Sequence, residues 1–246
     1  MSDIKANNWD NESVKKFYSE NRSETSQLYK SEKYFLDKID LSNISILDIG
    51  CACGGFFNIF REMAPSIKYT GVDISKNLID GAKLLHPEAE FHVSEKDRLD
   101  FPPSSFDLVF SSGVFHMTDK WKELYREAYR VSKELVLIDF RLTESAGVHG
   151  KIALDFFGQN CENYADYIVL NEKELFDAVS SLNPAPESVE AYGYMNAPSK
   201  MSDIKLKEIC MAFLMVKKGG AGNKKTIYSL DLPFENIGEK IKERYS

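Results

Sequence analysis

The chain has 246 residues, 43% of them hydrophobic, and its 38 acidic and 31 basic side chains give a formal charge of -7. This length and hydrophobic content can supply one large α/β domain or two small ones. The acidic excess repels a polyanionic backbone, so nucleic acid is not expected as the main partner. No window approaches the roughly 18 apolar residues of a membrane span, and the N-terminus lacks the apolar core of a signal peptide. We therefore expect a soluble protein, and its four scattered cysteines, with no C-x-x-C pair, indicate a reducing cytoplasm.

Residues 1–43 are mostly polar, and their apolar side chains recur at helical spacing. Val14, Phe17 and Tyr18 suit one amphipathic helix, and Tyr34 and Phe35 suit a second. These helices either pack on a sheet edge or cap a binding site. The sequence leaves both interpretations open.

From residue 44 onward, short apolar runs alternate with helical stretches. This alternation predicts a doubly wound α/β fold with a seven-stranded, mostly parallel, Rossmann-like sheet. The predicted strands are 44–50, 68–74, 89–93, 106–112, 134–142, 188–195 and 207–218. The predicted helices between the first five strands are 56–64, 76–85 and 120–132.

Segment 143–186 interrupts this alternation and is too long for an ordinary connection, so it is expected to be structured or functional. Within it, Asn171 can cap a helix, with Glu174 at the capping-box position and Leu170 against Leu175. The expected organisation is an N-terminal helical cap (1–43), a main domain (44–218) in which 143–186 is an acceptor-site insertion, and a C-terminal extension (219–246).

The stretch "ILDIGCACGGFF" places small residues directly after the first strand, where a parallel sheet binds its ligands. Cys51 and Cys53 lie within it, but a structural zinc site needs four ligands, and Cys161 and Cys210 are distant. We therefore expect no metal, and we interpret the two cysteines as small loop residues. The methyl group of Ala52 suits this loop if φ is negative.

Two ligand classes fit this loop. It is close to G-x-A-x-x-G, as in dinucleotide-binding proteins, and to D-x-G-x-A-x-G, as in loops that bind S-adenosylmethionine. Asp73 ends the second strand about twenty residues later and suits the ribose hydroxyls of either ligand. The loop alone does not decide between them.

Four ordered motifs decide between the two ligand classes. "LDIGCACGG", "GVDIS", "SEKDRLDFPPSSFDLVFSSGVFHMTD" and "LYREAYRVSKELVLIDF" together resemble the class I S-adenosylmethionine-dependent methyltransferases, in particular the small-molecule group called type 11. The resemblance covers about residues 44–142. It implies S-adenosylmethionine as cofactor and S-adenosylhomocysteine as product.

The resemblance also implies roles for individual residues. Asp48 and Gly50 would form the floor under the methionine moiety, and Asp73 would hold the ribose hydroxyls. Glu95, with Lys96 beside it, would lie near the adenine, although the family's usual residue there is an aspartate. The implied cofactor-binding set is Asp48, Gly50, Cys51, Ala52, Gly54, Asp73, Ile74, Glu95, Lys96, Ser111 and Ser112.

Methyl transfer to a hydroxyl benefits from a general base. His116, after the fourth strand, and Asp139, in the fifth, are the candidates, with His149 in the insertion a weaker one. We expect a small-molecule acceptor, preferably a hydroxyl of a sugar or biosynthetic intermediate. Methylation of RNA or protein, and a subunit that binds the cofactor without catalysis, are the alternatives.

Overall fold

The computed structural model describes residues 8–95, 97–154, 156–157, 163–220, 222 and 225–245. The strands in this part of the chain are β1 Ser45–Ile49, β2 Lys68–Asp73, β3 Glu90–Val93, β4 Phe106–Ser111, β5 Ser132–Thr143, β6 Val148–Ala153, β7 Tyr164–Asn171, β8 Ser188–Asn196, β9 Ile209–Lys217 and β10 Ile227–Asp231. The α-helices are α1 Glu12–Glu20, α2 Lys30–Leu36, α3 Gly55–Met63, α4 Lys76–Leu85, α5 Trp121–Val131, α6 Glu172–Ser180 and α7 Ile237–Tyr245. A short 3-10 turn, Thr25–Gln27, lies between α1 and α2.

The strands follow one another across the sheet in the order β10-β8-β9-β5-β4-β1-β2-β3. Strands β1 to β5 are parallel, and β9 runs antiparallel between β5 and β8. The doubly wound α/β prediction is confirmed, and all seven expected strands are present. The described residues add three more: β10 extends the edge beside β8, and β6 and β7 form a hairpin whose second strand pairs with the end of β5.

The side chains of β1 show why this strand is central. Leu47 and Ile49 belong to the apolar core on one face of the sheet, and Ile46 belongs to the core on the other face. A strand covered on both faces reads as a continuous apolar run, which is why its position was visible in the sequence.

Side-chain caps fix the starts of two helices, α4 and α6. The Ser75 hydroxyl accepts a hydrogen bond from Leu78 N at 3.2 Å and begins α4. The Asn171 side chain accepts one from Lys173 N at 3.0 Å and begins α6, which confirms the helix start predicted there. None of the described helices is long and apolar enough to cross a membrane.

Candidate functional site

The loop between β1 and α3 is shaped by left-handed backbone. Gly50 has φ +76° and Gly54 has φ +82°. A Cβ at Gly50 would lie 2.1 Å from Val114 Cγ2. The segment after β4 therefore lies so close to the loop that no side chain fits at position 50. The loop is therefore packed directly against the segment that follows β4.

Ala52 corrects one expectation. Its φ is +47°, in the left-handed region, whereas its methyl group was expected to suit this place only if φ were negative. Left-handed backbone costs an L-residue about 1–2 kcal/mol. The physical reason for the observed conformation is a hydrogen bond, because Ala52 N donates to Asp73 Oδ2 at 3.1 Å.

Asp73 ends β2 and joins two backbone segments through its carboxylate. Oδ2 accepts from Ala52 N, and Oδ1 accepts from Ser75 N at 2.9 Å. Burial raises the pKa of Asp73 to about 6, although both backbone hydrogen bonds act in the opposite direction. Each oxygen keeps a further lone pair that can accept a hydrogen bond from a ligand hydroxyl.

A cavity opens at the carboxyl ends of β1, β2 and β4, beside Asp73. Its empty space is about 830 Å³, including the part open to solvent. It is lined by Trp9, Tyr18, Ile49, Gly50, Ala52, Asp73, Ile74, Leu78, Ser94, Glu95, Ser112, Gly113, Val114, Met117, Thr118, Leu124 and Asp166. Of the residues selected from the sequence, Gly50, Ala52, Asp73, Ile74, Glu95 and Ser112 lie in this wall.

Asp48 and Ser111 lie behind the wall rather than in it. The Asp48 carboxylate is 2% exposed and accepts a hydrogen bond from the Tyr69 hydroxyl at 2.5 Å. Burial raises the pKa of Asp48 to about 7. The Ser111 hydroxyl donates to the Ile49 carbonyl at 2.8 Å and so ties β4 to β1. Both residues hold the strand ends together.

The two loop cysteines point into the protein. Cys51 is packed against Gly71 and Cys53 against Gly81, and both are buried. Burial raises the pKa of Cys53 to about 11 and that of Cys51 well above its usual value, so both thiols stay protonated. No cluster of three or more potential metal-ligating side chains occurs in the described ranges.

The two catalytic candidates lie side by side but outside the cavity wall. His116 is 3% exposed, and its Nδ1 lies 3.7 Å from Asp139 Oδ2. Asp139 Oδ1 accepts from Gly113 N at 2.8 Å, and Oδ2 accepts from Arg141 Nη1 at 2.7 Å. Burial, with a smaller contribution from Arg141, holds the pKa of His116 well below its usual range. The imidazole is therefore neutral at physiological pH.

The remaining sequence candidates lie elsewhere. Gly54 caps α3, and its close approach to His86 and Phe91 leaves no room for a side chain. Lys96 lies outside the described residues. His149 is exposed on β6, opposite Ile168 of β7.

Eleven of the seventeen cavity residues were not selected as cofactor or catalytic candidates from the sequence, and three of these come from the N-terminal segment and from segment 143–186. Trp9 precedes α1, Tyr18 lies on α1, and Asp166 lies on β7 within segment 143–186. Asp166 pairs with Lys151 across the hairpin. The helical spacing of the N-terminal apolar residues was a signal for Tyr18, but Asp166 carried none, because its strand was not predicted.

Part of this chain is similar in sequence to a known family. Residues 47–136 match the family described as a methyltransferase domain. Phosphoethanolamine N-methyltransferase 3 of Arabidopsis thaliana is 29% identical over 107 residues, which are 41% of this chain but only 21% of that protein. Malonyl-[acyl-carrier protein] O-methyltransferase 1 of Ilyobacter polytropus is 24% identical over 235 residues, 85% of this chain and 78% of that one.

A solved structure shares the fold. A SAM-dependent methyltransferase from Methanosarcina mazei superposes with a TM-score of 0.56 at 19% identity, covering 78% of this chain and 98% of the other.

Proposed function

We propose that this chain, whose residues 47–136 match the methyltransferase-domain family, is a class I S-adenosylmethionine-dependent methyltransferase. It transfers a methyl group from S-adenosylmethionine to a small-molecule acceptor. The observation that carries the proposal is the cavity beside Asp73, at the carboxyl ends of β1, β2 and β4. Ligands of open α/β sheets bind outside the carboxyl ends of the strands.

The residues of the cavity fit the cofactor. Asp73 offers carboxylate lone pairs to two ribose hydroxyls, and Ile74 and Leu78 offer apolar surface beside them. Gly50 lies in the cavity wall, and its lack of a side chain lets Val114, another wall residue, pack directly against it. The described lining carries Asp73, Glu95 and Asp166 but no Lys or Arg, so its field favours a cation.

When bound, S-adenosylmethionine supplies a methyl group that its positively charged sulfur already activates. The protein therefore has to align the acceptor, exclude water and manage one proton. Trp9 and Tyr18 of the N-terminal segment line the cavity, and Asp166 of β7 lines it as well. We propose that segment 143–186 forms part of the acceptor side through this strand.

The acceptor that we propose is a hydroxyl of a small molecule, such as a sugar or a biosynthetic intermediate. The acidic charge of -7 supports a small acceptor over RNA. The two named relatives act on different chemical groups, so their substrates are not transferred to this chain. The free, buried thiols of Cys51, Cys53 and Cys210 suit a reducing compartment, and we propose the cytoplasm.

Between the two base candidates we propose His116. A base has to be unprotonated before the reaction, and the neutral imidazole meets this condition. Both oxygens of Asp139 already accept hydrogen bonds, from Gly113 and Arg141, so Asp139 is better suited to orient its neighbours. His116 follows the wall residue Val114 and precedes Met117, so the acceptor group has to reach past these side chains.

The test is methyl transfer from methyl-labelled S-adenosylmethionine to separate pools of small hydroxyl, amine and carboxylate compounds, of RNA and of protein. We expect labelled product and S-adenosylhomocysteine with the hydroxyl pool. Label in RNA or protein instead would contradict the small-molecule proposal. Cofactor binding without transfer to any pool would favour a non-catalytic binding subunit. Once the acceptor is known, His116→Asn should reduce kcat while the affinity for S-adenosylhomocysteine is retained; an unchanged kcat would remove His116 as the base.

A further inference from the structure

A buried carboxylate joins the N-terminal segment to the wall of the cavity. Glu32, on α2, has no exposed side-chain surface. Its Oε1 forms an ion pair with Arg22 Nη2 and accepts the Ser112 hydroxyl at 2.6 Å, while Oε2 accepts Tyr29 N at 2.6 Å. Because Ser112 lines the cavity, this arrangement connects the N-terminal segment with the ligand site.

Arg22 is held in a defined orientation. Its φ is +62°, and its guanidinium lies 4.1 Å from the centre of the Tyr29 ring and 5.3 Å from that of Phe56. Its Nη1 donates to the Gln27 carbonyl at 2.7 Å. A Cβ at Gly55 would lie 2.3 Å from the Arg22 carbonyl oxygen, so the segment is pressed against the start of α3. Unlike the lysine ammonium, the arginine guanidinium is planar, so it stacks on aromatic rings and holds its N–H donors in a fixed arrangement.

The sheet order tells which end of the ligand lies near Arg22. Strands β2, β1 and β4 are neighbours, so the cavity runs from Asp73, through Gly50, to Ser112. With the ribose at Asp73 and the adenine toward Ile74 and Glu95, the methionine end of the cofactor lies beside Ser112. This end carries a carboxylate.

We infer that Arg22 binds the carboxylate of the cofactor's methionine moiety and that Glu32 is the positioning residue that holds its guanidinium. The inference rests on the proposed function. The described lining offers this carboxylate no cation, whereas Arg22 Nη2 lies 3.5 Å from Ser112 Oγ. The Arg22 side chain keeps 18% of its surface exposed, so a ligand can reach it, and Glu32 keeps none. Arginine suits carboxylates because its donors form a planar fork.

The experiment compares two ligands that differ only at the end in question. S-adenosylhomocysteine has the amino-acid moiety, and 5′-methylthioadenosine has the same adenosine and sulfur but no carboxylate. Calorimetric titration of the full chain gives both dissociation constants and their ratio. For Arg22→Gln we expect S-adenosylhomocysteine to bind about 10–100-fold more weakly and 5′-methylthioadenosine to bind as before, the loss expected for a charge-assisted hydrogen bond.

The structure provides a matched control. The Arg61 guanidinium also stacks on an aromatic ring, 4.9 Å from the centre of Phe57, and also pairs with a carboxylate, that of Glu88, but away from the cavity. Arg61→Gln should change neither affinity. Because Arg22→Gln leaves the buried Glu32 carboxylate unpaired, the combined variant Arg22→Gln, Glu32→Gln keeps the test valid if the single variant does not fold.

Glu32→Gln tests the positioning role. We expect a smaller loss that is again confined to S-adenosylhomocysteine, and the combined variant should be no weaker than Arg22→Gln alone, since Glu32 acts through Arg22. Glu127→Gln, which removes another carboxylate that pairs with an arginine, Arg130, should leave the ratio unchanged.

Three outcomes are distinct. A loss confined to S-adenosylhomocysteine supports the inference. An equal loss for both ligands, or no loss for either, overturns it while leaving the proposed function intact. If the wild-type protein binds neither ligand, the proposed function fails and the inference falls with it.

Discussion

The backbone N–H of Ala52 donates a hydrogen bond to the carboxylate of Asp73 at 3.1 Å. This contact joins the loop after β1 to the end of β2, and it accompanies a left-handed conformation at Ala52. One side chain therefore both shapes the loop and offers lone pairs to a ligand. Changes at Asp73 should affect the cofactor more than any other single change in this wall.

Replacing Asp73 with Asn should weaken binding of S-adenosylhomocysteine about 10–100-fold, because a charge-assisted hydrogen bond to the ribose becomes a neutral one. The measurement is calorimetric titration at pH 7.5. Asp107→Asn is the control, since Asp107 binds Ser45 at the opposite end of β1. Equal affinity of Asp73→Asn and wild type would show that the ribose lies elsewhere.

Cofactor affinity should also depend on pH. The raised pKa of Asp73, about 6, means that this carboxyl becomes protonated as the pH falls through 6. The protonated oxygen no longer accepts a ribose hydroxyl, so the affinity for S-adenosylhomocysteine should fall below this pH. Titrations between pH 5 and 8 should show the decrease in wild type and a flatter profile in Asp73→Asn. The same profile in both proteins would assign the dependence to another group.

Two glycines separate backbone strain from steric overlap. Gly50 and Gly113 both have positive φ, +76° and +91°, so alanine should cost about 1–2 kcal/mol at either position. Only at Gly50 would the new Cβ meet Val114, at 2.1 Å; at Gly113 nothing lies within 4 Å. Urea denaturation should therefore show a clearly larger loss of unfolding free energy for Gly50→Ala than for Gly113→Ala. Equal losses would mean that Val114 moves aside freely.

The loop cysteines should be dispensable for binding. Replacing Cys51 and Cys53 with alanine removes two buried sulfur atoms, and we expect a loss of unfolding free energy of about 1–2 kcal/mol. The affinity for S-adenosylhomocysteine should stay within about twofold, since both thiols point away from the cavity and stay protonated. A large loss of binding accompanied by loss of a bound metal would show that Cys51 and Cys53 belong to the binding site.

The sequence predicted the central sheet because its strands are buried on both faces and read as apolar runs. The helix start at Asn171 was equally visible, since capping depends on residues within one turn. The hairpin of β6 and β7 was missed. Its pairing is with the end of a long β5, a relationship between Leu142 and Leu170 that no local pattern expresses.

The site was predictable where a residue follows directly from its strand, as Gly50 and Asp73 do. The site was less predictable where a hydrogen-bond partner distant in the sequence sets the orientation of a residue. Asp48 turns to the Tyr69 hydroxyl, and Ala52 takes positive φ under a bond from a residue 21 positions away. Arg22 and Glu32 come together with Ser112 only in the folded chain. Such contacts are set by tertiary packing, and periodicity does not reveal them.

We expect this chain to bind S-adenosylmethionine and to use it as the methyl donor. Calorimetric titration of the wild-type protein with S-adenosylmethionine, S-adenosylhomocysteine and NAD tests this expectation. We predict saturable one-site binding of both sulfur nucleosides, and no binding of NAD. Binding of NAD with no binding of either sulfur nucleoside would contradict the account.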